Sequence, residues 1–122
     1  MLYVVTAEWI ESATPTDKDE FIETLKRSIL PSLEMLTLWE QEGRILAGGF
    51  FPGERSGAWI MEASSNEDVG DWVSSLIFWG RMKWTVRALQ SLRSTVEREN
   101  KVAQLLEARI NAAKDDDGSL PL

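Results

Sequence analysis

From Leu2 to Leu89 the side-chain periods run in one order (strand, helix, strand, strand, helix, strand), and few architectures accept that order. Leu2 to Trp9 is rich in Tyr, Val, Thr and Trp and reads as a strand. Glu11 to Pro15 is a loop, and Thr16 is a candidate N-cap with Asp19 three residues on. The helix that follows reaches about Glu42, with Ile22, Leu25, Ile29, Leu33 and Leu36 on one face at spacings of three and four. Pro31 lacks a backbone donor, and its ring predicts a kink or break near Ser28 to Leu30.

Arg44 to Phe51 and Gly57 to Ala63 are apolar segments joined by Pro52-Gly53-Glu54-Arg55-Ser56, a turn composition. Ser64-Ser65-Asn66 offers caps for a short helix whose apolar side carries Val69, Trp72, Val73 and Leu76. Arg81 to Leu89 alternates, with Met82, Trp84, Val86 and Ala88 on one side and Lys83, Thr85 and Arg87 on the other. Leu92 to Lys114 reads as a third helix with a narrow stripe of Leu92, Val96, Ala103, Leu106 and Ile110. The domain expected is therefore residues 1–90, with a helical extension over 91–114 and a loose acidic tail over 115–122.

Two β-α-β halves whose inner strands share a short turn describe a split β-α-β, ferredoxin-like α+β domain, a four-stranded antiparallel sheet with helices on one face. The strands are apolar on both faces, however, whereas a sheet facing water alternates apolar with polar. The second face therefore needs a cover, and a second copy of the chain supplies one economically. A homodimer or larger homo-oligomer is expected.

Composition narrows the chemistry. The chain has neither cysteine nor histidine, which excludes disulfides, thiolate nucleophiles, imidazole bases and His or Cys metal sites. Proton transfer must use Asp, Glu, Lys, Tyr or water, and no cofactor is expected. The net charge is −7, and Asp115, Asp116 and Asp117 carry three of those charges, leaving −4 for the rest. A mildly acidic body repels phosphate backbones, so nucleic acid is not an expected partner. No apolar run approaches a membrane span, and Met1-Leu2-Tyr3 enters a strand instead of a basic signal region, so a cytoplasmic protein is the default expectation.

If the helices cover Tyr3, Val5, Ala7, Trp59, Met61, Met82, Trp84 and Val86, the opposite face presents Leu2, Val4, Thr6, Glu8, Ala58, Ile60, Glu62, Lys83, Thr85 and Arg87. Strict alternation adds Leu46, Gly48 and Phe50 to that second face. It has the composition of a small-molecule site, apolar with a few polar groups. Glu62, on an otherwise apolar strand, is the candidate proton shuttle, since desolvation raises a carboxyl toward neutrality. The bland reading of Glu62 is an ion pair with Lys83 or Arg87. Arg87 and Lys83 suit a carboxylate or an enolate oxygen, or else they are solvated charges on a terminal strand. Thr6, Glu8, Phe50, Ile60 and Thr85 line the same expected cleft. Trp79, beside Phe78, is placed at its mouth or packs under the third helix. Gly48-Gly49 marks a bulge or a close backbone approach.

The start Met1-Leu2-Tyr3-Val4-Val5, the stretch Glu62-Ala63-Ser64-Ser65-Asn66-Glu67-Asp68-Val69, and its continuation through Leu76 to Met82, Val86 and Leu89 resemble the muconolactone Δ-isomerase family. Members carry a similar acidic-x-x-Ser-Asn-acidic-acidic-aliphatic segment before the second helix. The resemblance covers roughly Met1 to Leu89 and implies a dimeric α+β barrel, a fold shared with cofactor-free monooxygenases and polyketide cyclases. It also implies an isomerase or cyclase that moves a proton on an apolar cyclic carbonyl or lactone, with Glu62 at the family's acidic position. The chain differs in Leu76-Ile77-Phe78-Trp79-Gly80, where the family has prolines, in its lack of histidine and in its third helix. Two alternatives stand beside that activity: a cofactor-free monooxygenase, and a non-catalytic ligand-binding or assembly protein.

Overall fold

The computed structural model describes residues 1–11 and 14–117. It divides into two units, Met1–Leu89 and Gln90–Leu122. The first holds strands β1 (Leu2–Trp9), β2 (Ile45–Phe50), β3 (Ser56–Glu62) and β4 (Met82–Leu89). Helices α1 (Lys18–Thr24) and α2 (Leu30–Gln41) join β1 to β2, and α3 (Asn66–Ser74) lies between β3 and β4. All neighbouring strands are antiparallel, in the order β2-β3-β1-β4. This is the ferredoxin-like arrangement expected from the order of segments.

Side chains pointing to one face of the sheet form the core. Tyr3, Val5, Ala7, Trp59, Met61 and Met82 are buried there against Leu36 and Trp39 of α2 and Val69, Val73, Leu76 and Phe78 from α3 and its exit. Each large side chain so buried stabilises the fold by about 1.5–3 kcal/mol. The cover thins along β4. Val86 pairs with the fully buried Val5 on that face yet is 36% exposed.

Pro31 acts one turn earlier than a simple break. Leu25–Ile29 forms a π-helical turn between α1 and α2, and the Leu30 N–H donates to the Leu25 carbonyl. The wider turn accommodates a ring that an α-helix would push against the carbonyl four residues back. Ser32 then ties the helix to the far side of the core. Its hydroxyl donates to the Ser28 carbonyl (2.7 Å) and accepts from the Phe78 N–H (3.0 Å), all buried. The first N-cap is Asp17, one residue past Thr16, accepting from the Asp19 N–H at 2.9 Å; α3 is capped by Ser65.

The second unit contains α4 (Leu92–Asp117). Ser91 caps it, its hydroxyl accepting from the Ser94 N–H at 3.1 Å. The helix runs three residues past the expected end at Lys114, and the remainder of the expected tail, residues 118–122, lies outside the described residues. Among the described residues no helix is long and apolar enough to cross a membrane.

Candidate functional site

A bulge in β2 decides which side chains meet. Ile45 pairs with Met61 and Ala47 with Ile60, so Leu46 is an extra residue in the ladder. Beyond it the alternation is inverted: Gly48 pairs with Trp59 and Phe50 with Gly57, which puts both on the helix-covered face. Phe50 therefore leaves the open face expected for it and stacks on Trp59, ring centroids 6.1 Å apart. The one-residue insertion moves every later side chain of β2 across the sheet.

Under the helix, at the edge where β1 and β2 end and β4 begins, lies a cavity of about 320 Å³. Its inner walls are apolar: Leu25 and Ile29 from the π-helical turn, Leu33 from α2, then Phe50, Phe78 and Met82. Trp9, Glu54 and Arg55 complete the lining. The two charged residues come from the β2–β3 turn, which Pro52 and Gly53 shape. Gly53 has φ 76°, and the Glu54 N–H closes on the Phe51 carbonyl at 3.1 Å. Two contacts then hold Arg55. Its carbonyl accepts from the Trp9 N–H (2.9 Å), and its guanidinium sits 4.4 Å from the Phe21 ring centre and 5.7 Å from that of Trp9. Aromatic faces orient the cation without using its N–H donors, and among the described residues it makes no salt bridge. Glu54 accepts from the Ser56 hydroxyl at 3.0 Å. An apolar chamber with one oriented guanidinium and one carboxylate can hold a ring compound by its faces and an oxygen by charge.

The residues singled out in the sequence are distributed otherwise. Glu62, Lys83, Arg87, Thr6, Ile60 and Thr85 stand on the open face, and none lines this cavity. Glu62 is 57% exposed, so the desolvation assumed for it is absent in the single chain, and its carboxylate faces the Met1 ammonium at 3.5 Å. It meets neither expected cation because β1 lies between β3 and β4. Two strand spacings, about 10 Å, separate its row from β4, and it lines up with Leu2 and Leu89 instead. Arg87 lines up with Val4 and Ile60. Glu8 and Lys83 are direct cross-strand neighbours, and Glu8 borders a separate surface hollow shared with Glu54 and Arg55. Trp79, expected at the mouth, is 48% exposed, while its neighbour Phe78 is buried in the cavity wall. The 3-10 turn Trp79–Arg81 accounts for that difference by swinging successive side chains apart.

Arg55 and Glu54 were read in the sequence only as turn residues. The aromatic pair at Trp9 and Phe21 carries the missing signal, but only once folding brings it to that turn. Among the described residues no group of three or more metal-ligating side chains comes together.

No family model matches the sequence, and no curated protein matches it. Among solved structures the chain is similar to 5-chloro-2-hydroxyhydroquinone dehydrochlorinase (TftG) from Burkholderia phenoliruptrix AC1100, in complex with 2,5-dihydroxybenzoquinone. The TM-score is 0.52 at 20% identity, over 77% of this chain and 98% of that one. At this identity the likeness is one of fold, an α+β barrel-type domain.

Proposed function

We propose that this chain is a small enzyme that moves a proton on a cyclic carbonyl or lactone held in the cavity beneath the π-helical turn and α2. The observation that carries this reading is the pairing of an apolar chamber with the oriented Arg55 guanidinium and the Glu54 carboxylate at its lining. A chamber of about 320 Å³ is at the small end of ligand sites and suits one ring. The fold neighbour was solved with a single-ring compound bearing oxygens, which supports a ligand of that size.

In this mechanism Glu54 removes a proton from the ring carbon at the far end of the conjugated double bond, and the electron pair moves through that bond onto the carbonyl oxygen as a dienolate. Arg55 stabilises that oxygen. Glu54 returns the proton to the carbon beside the carbonyl, so the double bond has moved and no electrons have been exchanged with a cofactor. Muconolactone isomerisation is one reaction of this type. The open face, with half-buried Leu2, Val4, Ala58 and Ile60, serves a second copy of the chain. Glu62, Lys83 and Arg87 then belong to a subunit surface.

The test follows the proton. A panel of unsaturated γ-lactones and cyclic enones in deuterated water is expected to show deuterium entering beside the carbonyl with the native chain. With Arg55→Ala the label is expected to disappear. Binding without exchange would leave a ligand-binding protein, and oxygen uptake with an electron-rich phenol would mark an oxygenase instead.

A further inference from the structure

We propose that α4 is an interaction surface whose partner is the α4 of a second copy of the chain, laid against it antiparallel. The inference makes no use of the cavity and stands apart from the ring-binding reading.

The seam is written in the sequence. Leu92, Val96, Glu99, Ala103, Leu106, Ile110 and Ala113 follow one another at alternating steps of four and three, a seven-residue repeat in which only Glu99 is not apolar. A stripe with a mean period of 3.5 residues is the seam of two paired helices, whereas a helix packed on a sheet shows a wider apolar face. The stripe lies along a helix of 26 residues that is the one helix of its unit, and a single helix has no core of its own in which to bury it. Leu92 is 85% exposed and Val96 60%, and Leu106 and Ile110 are exposed as well. Helices in proteins draw most of their stability from packing an apolar face, so this one gains from a partner.

Charge selects the occupant and its direction. In a parallel pair each seam residue meets its own copy, so Glu99 faces the partner's Glu99 and Arg109 flanks the partner's Lys114, both repulsive. Antiparallel, Leu92 lies opposite the partner's Ile110 and Val96 opposite the partner's Leu106, and Glu99 falls opposite the partner's Ala103. That small side chain leaves room for the Glu99 stem to lie along the seam while its carboxylate reaches the edge, where the Arg98 guanidinium already stands 3.5 Å away. The flanking positions then set Arg93 beside the partner's Glu107, once at each end of the pair, and Val102 beside the partner's Val102 near its centre. Within the single chain neither Arg93 nor Glu107 makes a salt bridge among the described residues, so neither has to give up an ion pair to form this one. The surface is self-complementary, as a two-fold contact requires.

The chain has no cysteine, so one introduced on the outer side of α4 carries a spin label uniquely. In the full chain, Lys101→Cys places the label at the midpoint of the antiparallel pair and is expected to give the shorter distance between copies. Ala108→Cys lies seven positions from that midpoint in each copy, which adds a separation of about 21 Å along the axis. Equal distances at the two sites mean a parallel pair, and no defined distance between copies means a helix that packs elsewhere; either result, or a longer distance at Lys101, overturns the proposal. Charge reversal then tests the register. Arg93→Glu alone and Glu107→Arg alone are each expected to weaken pairing about 10-fold, the scale of reversing two exposed ion pairs, read from the dilution at which the distance at Lys101 is lost. Arg93→Glu combined with Glu107→Arg is expected to restore it. Single reversals without effect, or a double reversal that stays weak, overturn the pairing of Arg93 with the partner's Glu107. All four positions are exposed in the single chain, so these variants keep the fold.

Discussion

The two faces of the sheet are built from alternate residues of the same strands, yet they differ in kind. The helix-covered face buries Tyr3, Val5, Trp59 and Met61 and opens a cavity at its edge, beside the π-helical turn. The open face carries Glu62, Lys83 and Arg87 among half-buried aliphatics, and its charges are spread over separate rows. Charge alone therefore does not mark the site. Arg55 and Arg87 are both exposed, but neighbouring rings hold the Arg55 guanidinium at the edge of an apolar cavity, whereas a strand presents Arg87 on the open face.

Adjacent residues of β3 give the strongest test of that difference. Met61→Ala removes a fully buried side chain and is expected to destabilise the fold by about 2–5 kcal/mol in urea unfolding. Ile60→Ala, one residue away on the open face, is expected to cost about 1 kcal/mol in the same assay, and to show its main effect as a weaker dimer in light scattering at low concentration. Equal losses of stability would erase the distinction between the faces.

Turnover offers the next contrast. Glu54→Gln is expected to lower isomerisation about 100-fold, in the usual range for loss of a general base. Glu62→Gln is expected to leave turnover within about 2-fold, measured with the dimer intact. The reverse ranking would return the chemistry to the open face.

Gly48→Ala probes the close approach of β2 to β3. Positive φ and the clash with the Ala58 carbonyl and Trp59 backbone together are expected to cost about 2 kcal/mol in denaturant unfolding. The smallest effect belongs to the open face again. Lys83→Ala, facing Glu8 across β1 and β4, is expected to change stability by less than about 1 kcal/mol, and that change should shrink further in high salt.

Much of the fold was legible before folding was considered. The alternation from Met82 to Ala88, the helical spacing from Ile22 to Leu36 and the turn at Pro52-Gly53 each report a local period or a local torsion. The covered face was legible for the same reason in β1, β3 and the start of β4. Phe50 was misplaced because an inserted residue leaves no mark on the hydrophobic pattern of Ile45 to Phe50, apolar at nearly every position. The ion pair expected for Glu62 failed because strand order, with β1 in the middle, is a property of the assembled sheet.

The sequence by itself determined which chemistries are open to this protein and which segments form strands and helices. Those follow from residue types and short-range periods, which every chain carries with it. Tertiary structure decided where the candidate site is. Trp9, Ile29, Phe50 and Phe78 are separated along the chain, and only the bulge in β2, the π-helical turn and the order of the strands bring them around one cavity.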